Sequence, residues 1–280
     1  MSQTTDERTQ TGTRTARPRR YLMCNPEYFE VVYSINPWMD PAKPTSTDRG
    51  LSQWKWLHDL FLDLGHQVEL LEPLAGLPDM VFAANGAIVT GGKALVARFR
   101  HQERDGESEA YLDWFRAHGW TEVRQAEHVN EGEGDFLYAG GQFLAGKGFR
   151  STPESHVEAA KFFDQPVVGL TLVDPRFYHL DTALSVLDHD EIMYYPAAFD
   201  PAARAFLAER FPDAIQAEEA DAEVFGLNAV SDGLHVVLPL QATRLAAQLR
   251  ERGYEPIGLD LSELLYAGGS VKCCTLELRS

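Results

Sequence analysis

A recurring three-part pattern constrains the fold of this 280-residue chain more than any other feature. In each copy an apolar alternating run turns back on itself, a segment of helical period follows, and a short extended run ends the unit. Four of the hairpins are clear: Gly86 to Phe99, Asp135 to Gly148, Thr182 to Pro196 and Asn228 to Pro239. The last one turns at Asp232-Gly233, a pair typical of two-residue hairpin loops.

Segments of helical period lie between the hairpins and the extended runs. They are Leu51 to Gly65, Ser108 to Gly119, Thr152 to Phe163, 200 to 211 and 240 to 253. The pattern therefore repeats about five times at roughly 40 to 50 residues, a spacing typical of repeat architectures. An array that closes on itself would be a propeller-like α/β ring. The alternative is an ordinary mixed α/β domain whose units resemble each other by coincidence.

The composition limits the class of protein. A formal net charge of −17 argues against a protein that binds nucleic acid or an anionic membrane. No run of about 18 apolar residues is present, so we expect no membrane-spanning helix. These features favour a cytoplasmic protein with a small-molecule partner, and they leave open whether the chain forms a homo-oligomer.

The chain is expected to contain one folded domain. No linker rich in proline, serine and glycine divides residues 20 to 280, which we predict to form a single domain. Residues 1 to 19 are rich in threonine, glutamine and arginine and lack a large apolar run. We therefore expect a disordered tail rather than a signal or transit peptide.

Three cysteines are too few for a disulfide framework, and none has the spacing of a metal site. Cys273 and Cys274 follow a Gly-Gly pair that leads into a predicted short strand. Because side chains alternate along a strand, only one of the two thiols can face a given pocket. Two buried structural thiols are the alternative to a reactive one.

Two polar motifs could work beside such a thiol. His179 and Asp181 would lie on the same side of an extended segment, and a carboxylate near an imidazole supports its protonated form. Glu131, Glu133 and Asp135 are concentrated among glycines at a strand entrance, where repelling carboxylates often receive a cation. Either motif could also be an ordinary solvated surface feature.

Taken together and in this order, these motifs resemble the guanidino-group-modifying enzymes of the pentein superfamily. The strongest part of the resemblance combines the acidic-glycine loop, His-x-Asp and a Gly-Gly-x-x-x-Cys near the C-terminus. It covers about residues 20 to 280. It implies a pentein-type α/β propeller of about five ββαβ units around a central active site, with no metal or organic cofactor.

The resemblance also implies roles for individual residues. Cys273 matches the nucleophile, because Thr275 follows it at the family's spacing, and His179 and Asp181 match the His-x-Asp motif. The implied substrate-binding residues are Asp79, Phe82, Asn85 and Asn36, together with three arginines for an α-carboxylate, Arg98, Arg104 and Arg150. Glu131 or Glu133 would supply the catalytic carboxylate, and the choice stays open because a gap-free match places Gly132 there.

The amide at Asn85 bears on which of the family's reactions we expect. Dimethylargininases and deiminases have an acid at this position, whereas an amide can hold first a guanidino and then a ureido group. With Asn36, it favours an arginine dihydrolase that releases ornithine, carbon dioxide and ammonia through a covalent thiouronium on the cysteine. The alternatives are a dimethylargininase that releases citrulline and dimethylamine, an amidinotransferase, and a non-catalytic ligand-binding protein of the same fold.

Overall fold

The computed structural model describes residues 13–279 and contains five three-stranded sheets of identical construction. Their strands, in spatial order, are β15 (Leu276–Glu277), β1 (Arg20–Cys24) and β2 (Gln67–Leu71); β3 (Ala87–Thr90), β4 (Lys93–Val96) and β5 (Glu122–Gln125); β6 (Phe136–Ala139), β7 (Gln142–Lys147) and β8 (Val167–Thr171); β9 (Leu184–Asp188), β10 (Glu191–Tyr194) and β11 (Ile215–Gln216); β12 (Val230–Ser231), β13 (His235–Pro239) and β14 (Glu255–Leu259).

Each sheet pairs its first two strands antiparallel and its last two parallel. Parallel neighbours need a crossover, and a helix supplies it in every sheet. The eight α-helices are α1 (Thr47–Asp63), α2 (Glu107–Ala117), α3 (Gly132–Asp135), α4 (Pro153–Phe163), α5 (Pro201–Arg210), α6 (Glu219–Ala222), α7 (Thr243–Glu251) and α8 (Ser262–Leu265). The long ones, α1, α2, α4, α5 and α7, are the crossovers.

The first strands of the sheets face one another around a common axis. β9 contacts both β6 and β12, and β15 contacts β3. The sheet containing β1 is completed by β15 from the other end of the chain, so the ring closes through its two ends. The predicted pentein-type α/β propeller of about five units is confirmed.

Local sequence explains where the crossover helices begin. The Ser46 hydroxyl accepts from the Arg49 amide and starts α1, and the Asp200 carboxylate does the same for α5. Pro153 occupies the first turn of α4, where its missing N–H costs nothing. α1 begins four residues before the predicted Leu51 because the Ser46 cap lies upstream of the apolar pattern.

Two local predictions about the chemical motifs were wrong. Cys273 lies in a turn before β15 rather than in a strand, and His179 precedes a one-turn 3-10 helix, Leu180–Thr182. In both places the backbone must bend to bring a side chain to the axis. Strand alternation therefore does not determine which way Cys273 and Asp181 point.

The predicted tail boundary at residue 19 was also wrong for the described part of the tail. The Arg14 guanidinium donates to Glu191 at 2.8 Å and lies 3.5 Å from the Tyr254 ring centroid. The Arg17 amide donates to the Asp232 carbonyl at 2.9 Å. Residues 13 to 19 therefore pack against the fourth and fifth sheets, and the rest of the predicted tail lies outside the described residues.

Within residues 13–279, no helix combines the length and apolar character needed to cross a membrane.

Candidate active site

The first strand of every sheet begins at the same end of the axis, and a polar residue precedes each one. These residues are Asn85 before β3, Asp135 before β6, Asp181 before β9, Asn228 before β12 and Cys273 before β15. All five are at most 2% exposed. The repeat thus brings one buried polar or nucleophilic side chain from each unit to one end of the ring.

Cys273 is held by neighbours from two other units. Its Sγ lies 3.1 Å from the Asn228 Nδ2 and 3.4 Å from an Asp181 oxygen, and its backbone amide donates to the Asn228 Oδ1 at 3.1 Å. The Cys273 carbonyl accepts from the Ala84 amide at 3.0 Å. These contacts fix the position of the thiol. The adjacent Cys274 lies in the same buried cluster, but among the described residues its thiol makes no side-chain hydrogen bond of this kind.

A charged chain of hydrogen bonds supports His179. Its Nε2 lies 2.7 Å from the Glu131 Oε2, which also accepts from the Arg150 Nη1 at 2.6 Å. Burial opposes ionisation of Glu131, but the Arg150 charge and the His179 hydrogen bond outweigh it and hold the pKa of that carboxyl well below its usual range. Glu131 is therefore a carboxylate, and its contact with Nε2 fixes the orientation of the His179 ring.

Glu133 points away from His179. Its carboxylate accepts from Lys272 Nζ at 2.9 Å, from Arg279 and from the Glu277 amide at 3.0 Å. The sequence did not decide which of the two glutamates would supply the catalytic carboxylate. Only Glu131 lies within hydrogen-bond distance of the His179 imidazole. Glu133 instead neutralises two cations on the other side of the loop.

The third acid of the loop positions backbone. Asp135 accepts from the Ser151 hydroxyl at 2.6 Å and from the Leu180 amide at 3.1 Å. Its carboxylate thereby ties the segment after β7 to the turn that presents His179 and Asp181.

Asp79 lies in a second buried ion-pair network. One of its oxygens accepts from the Tyr33 hydroxyl at 2.9 Å. Arg104 donates to Glu107 at 2.7 and 2.8 Å, to the Asn85 Oδ1 at 2.7 Å and to the Asp79 carbonyl at 3.1 Å. Since protein acceptors occupy the Arg104 guanidinium, this geometry does not support its predicted role as a ligand of a substrate carboxylate.

Asn85 reaches the thiol's end of the axis because the facing backbone is glycine. Its Nδ2 lies 3.5 Å from the Glu131 carbonyl, and a Cβ placed on Gly134 would be 2.2 Å from Nδ2 and 3.3 Å from the His179 ring. Any larger residue at Gly134 would separate Asn85 from His179.

The remaining predicted residues occupy different surroundings. The Phe82 ring lies over Gly269, where an added Cβ would be 2.2 Å from it. The Asn36 amide is used within the protein, donating to the Ala267 carbonyl at 3.0 Å and accepting from the Trp38 amide at 2.9 Å. Arg98 is exposed and donates to the Ala126 carbonyl at 2.9 Å, so it lies outside the buried cluster.

Three buried polar atoms of the predicted site residues have no hydrogen-bond partner within residues 13–279: His179 Nδ1, Asp181 Oδ1 and Asp79 Oδ1. Asp181 lies beside the thiol, with its other oxygen 3.4 Å from the Cys273 Sγ. Buried polar atoms are normally satisfied. Unpartnered carboxylate oxygens are suited to receive the N–H groups of a planar cation.

The site without such a cation disfavours ionisation of the thiol. Burial raises the pKa of Cys273 well above its usual value, and the Asp181 charge adds to the effect. Burial also raises the pKa of Asp181 to about 6, although His179 and Lys272 oppose the shift. A ligand that brings positive charge would reverse the balance at both groups.

Sequence reasoning missed Asn228, Tyr33 and Glu107. Asn228 had a usable signal, because it precedes its hairpin as Asp181 precedes its own. Tyr33 and Glu107 had none, since nothing local links them to Asp79 or Arg104. Among residues 13–279, no three side chains of histidine, cysteine, aspartate or glutamate form a group suited to a metal ion.

Known relatives share this architecture, although no protein-family model matches the chain. The N(G),N(G)-dimethylarginine dimethylaminohydrolase of Mycobacterium tuberculosis is 57% identical over 95% of this chain and 87% of its own length. The bifunctional arginine dihydrolase/ornithine cyclodeaminase ArgZ of Synechocystis is 40% identical over 92% of this chain. Since the match covers 37% of ArgZ, only part of that protein corresponds to this chain.

A solved structure extends the comparison. The substrate-bound N-terminal domain of ArgZ, carrying a cysteine-to-serine mutation, superposes with a TM-score of 0.89 at 38% identity. The match covers 94% of this chain and 98% of that domain. The chain therefore belongs to the dimethylarginine dimethylaminohydrolase family of guanidino-group hydrolases and has its pentein fold.

Proposed function

We propose that this chain hydrolyses a guanidino C–N bond of an Nω-methylated arginine and releases citrulline and dimethylamine. The observation that carries the guanidino chemistry is the Asp181 carboxylate beside the Cys273 thiol. One of its oxygens lies 3.4 Å from Sγ, and the other has no hydrogen-bond partner among the described residues. The methylated substrate is supported by the 57% identical relative, a dimethylarginine dimethylaminohydrolase.

The bound guanidinium donates its N–H groups to Asp79 and Asp181 and brings a positive charge close to Cys273. That charge lowers the pKa of the thiol and produces the attacking thiolate. The Asn228 Nδ2, 3.1 Å from Sγ, donates to the thiolate and stabilises it. Because burial suppresses ionisation of the Cys273 thiol, formation of the thiolate depends on the substrate.

The thiolate then attacks the guanidinium carbon, forming a C–S bond. His179, whose Nε2 is hydrogen-bonded to Glu131, transfers a proton to the dimethylamino nitrogen as its bond to carbon breaks. A covalent thiouronium remains on Cys273. A water molecule attacks its carbon and gives one proton to His179. The C–S bond then breaks, the remaining hydroxyl proton passes to the departing sulfur, and citrulline leaves. The steps use only side chains and water.

The substrate's carboxylate needs a cation at the mouth of the site. Of the three arginines predicted for this role, Arg104 and Arg150 are buried in ion pairs with Glu107 and Glu131. Arg98 is exposed, and its backbone forms an antiparallel β-bridge with Asn130, the residue before Glu131. Arg98 is therefore our candidate for the carboxylate.

A second candidate function, arginine dihydrolase, is favoured by Asn85. Its Oδ1 is already held by Arg104, so its Nδ2, beside His179, offers a donor. A donor suits the carbonyl oxygen of a ureido group, which a second hydrolysis would have to bind. The 40% identical ArgZ and its substrate-bound domain also support this reaction.

Mass spectrometry of the products distinguishes the two functions. We expect citrulline and dimethylamine from Nω,Nω-dimethylarginine, and no product from Cys273→Ala. Cys274→Ala, which removes the neighbouring apolar thiol, should retain turnover. Ornithine and ammonia from arginine would overturn the first proposal in favour of the dihydrolase, and absence of product from both substrates would overturn both.

A further inference from the structure

A second cavity runs along the propeller axis. It has a volume of about 320 Å³ and is lined by β9 from Leu184 to Asp188, by Val230 and Ser231 of β12, and by Glu277 of β15. The residues before these strands form the candidate active site. The lining of the cavity does not include Cys273, Asp181 or His179, so the cavity is distinct from the candidate active site. We call this space the distal cavity.

The distal cavity is cationic in a chain whose net charge is −17. Four cations line it: Arg17, Arg19, Lys272 and Arg279. Three carboxylates pair with them: Asp188 with Arg17, Glu277 with Arg19 and Arg279, and Glu133 with Lys272 and Arg279. One positive charge is therefore left without a matching carboxylate.

Two buried donors of residues that line the cavity have no partner in the part of the chain that the structure describes. The Tyr21 hydroxyl belongs to a side chain that is 2% exposed, and it accepts or donates no hydrogen bond. The Arg19 Nε is also buried and unpartnered, although the same guanidinium donates to Glu277 from Nη1 at 2.8 Å. A ligand that accepts hydrogen bonds would satisfy both.

Part of the wall is apolar. Leu137, Leu184, Val186 and Val230 line the cavity beside the charged groups. A site of this kind, with a few polar groups at one side of an apolar surface, suits a ligand with one anionic group and a small hydrocarbon part.

We propose that the distal cavity binds a small organic carboxylate. Its carboxylate accepts from the Tyr21 hydroxyl and the Arg19 Nε and neutralises the surplus positive charge, while its apolar part packs against Leu184 and Val230. The site does not depend on the proposed reaction. Lys272 links it to the nucleophile, because this residue lines the cavity and directly precedes Cys273.

The experiment titrates the protein with benzoate by calorimetry at constant ionic strength. We expect saturable binding of benzoate, and none of the neutral isostere benzamide or the cation benzylamine. Tyr21→Phe should weaken benzoate about tenfold because it deletes one hydrogen bond to a charged group. Arg17→Gln, which removes an exposed cation without emptying the core, should weaken it by a smaller factor.

Tyr111→Phe is the matched control. Its hydroxyl is likewise buried and unpartnered, but Tyr111 does not line the distal cavity, so benzoate affinity should not change. Benzoate should also bind Cys273→Ala with unchanged affinity and should not compete with substrate. Crystals soaked with 4-bromobenzoate should show bromine anomalous density between Tyr21 and Val230. The absence of saturable binding, equal effects of Tyr21→Phe and Tyr111→Phe, or competition with substrate would each overturn the proposal.

Discussion

The two ends of the propeller axis are built from the same strands but use polar groups differently. At the end where the first strands begin, the cysteine, imidazole and carboxylates are buried and locked by one another. At the end where they finish, partly exposed arginines line an open cavity. Glu131 and Glu133, two residues apart, have different partners: Glu131 contacts His179 and Arg150, whereas Glu133 contacts Lys272 and Arg279.

Replacing Glu131 should have the largest effect on turnover. Glu131→Gln removes the carboxylate that contacts both His179 and Arg150. We expect kcat to fall about 10³-fold, within the range for loss of general acid-base function. Steady-state kinetics and a pH-rate profile would measure it. An equal loss of kcat in Glu133→Gln would contradict the division between the two glutamates.

Replacing Glu133 should reduce stability more than turnover. Glu133→Gln leaves Lys272 and Arg279 near the axis without their shared carboxylate, and breaking a buried pair costs about 3 kcal/mol. Urea denaturation would measure the loss, while kcat of the folded fraction should stay within about tenfold. The control is Glu122→Gln, which breaks an exposed pair with Lys93 and should cost less than about 1 kcal/mol.

Asp181 should make stability fall as pH rises. Its folded pKa of about 6 is above the ordinary 3.8, so the folded state binds this proton more tightly. The loss of folding stability caused by ionised Asp181 is absent below pH 3.8 and complete above pH 6. We therefore compare the free energies of unfolding of Asp181→Asn and wild type. The difference in favour of the variant should grow by about 2 kcal/mol when the pH rises from 4.5 to 7.5.

Denaturation of both proteins at the two pH values would measure this gain. Asp190→Asn is a control of opposite sign, since hydrogen bonds from Arg210 and His189 lower the pKa of Asp190 and stabilise the fold at high pH. A gain in Asp181→Asn that did not change with pH would show that repacking, not ionisation, is responsible.

Asn228 should have the smallest effect of the four. Asn228→Ala removes the donor 3.1 Å from the Cys273 Sγ, and loss of one hydrogen bond to a charged group should slow kcat about tenfold. Alkylation of Cys273 by iodoacetamide should slow in parallel. Cys274→Ala is the control, and a comparable slowing there would show that general loosening of the turn explains the result.

Much of the fold could be predicted because it is local and repeated. The hairpins turn at Gly91-Gly92 and Gly140-Gly141, where positive φ angles suit glycine, and the crossover helices carry apolar stripes with caps. The candidate nucleophile and His179 were also identified from sequence. The choice between Glu131 and Glu133 was not, because two side chains on one bent loop diverge according to their tertiary partners.

The sequence by itself determined the five-unit repeat, the absence of a cysteine framework, and the order of the acidic loop, the His-x-Asp motif and the terminal cysteine. Only the tertiary structure placed Asn228 on the thiol and Tyr33 on Asp79, and turned Arg104 into a buried partner of Glu107. These contacts join residues far apart in the chain, and their energies depend on burial, which no local pattern reports. The distal cavity could not be predicted from the sequence for the same reason. Its arginines come from both ends of the chain and meet only when the ring closes.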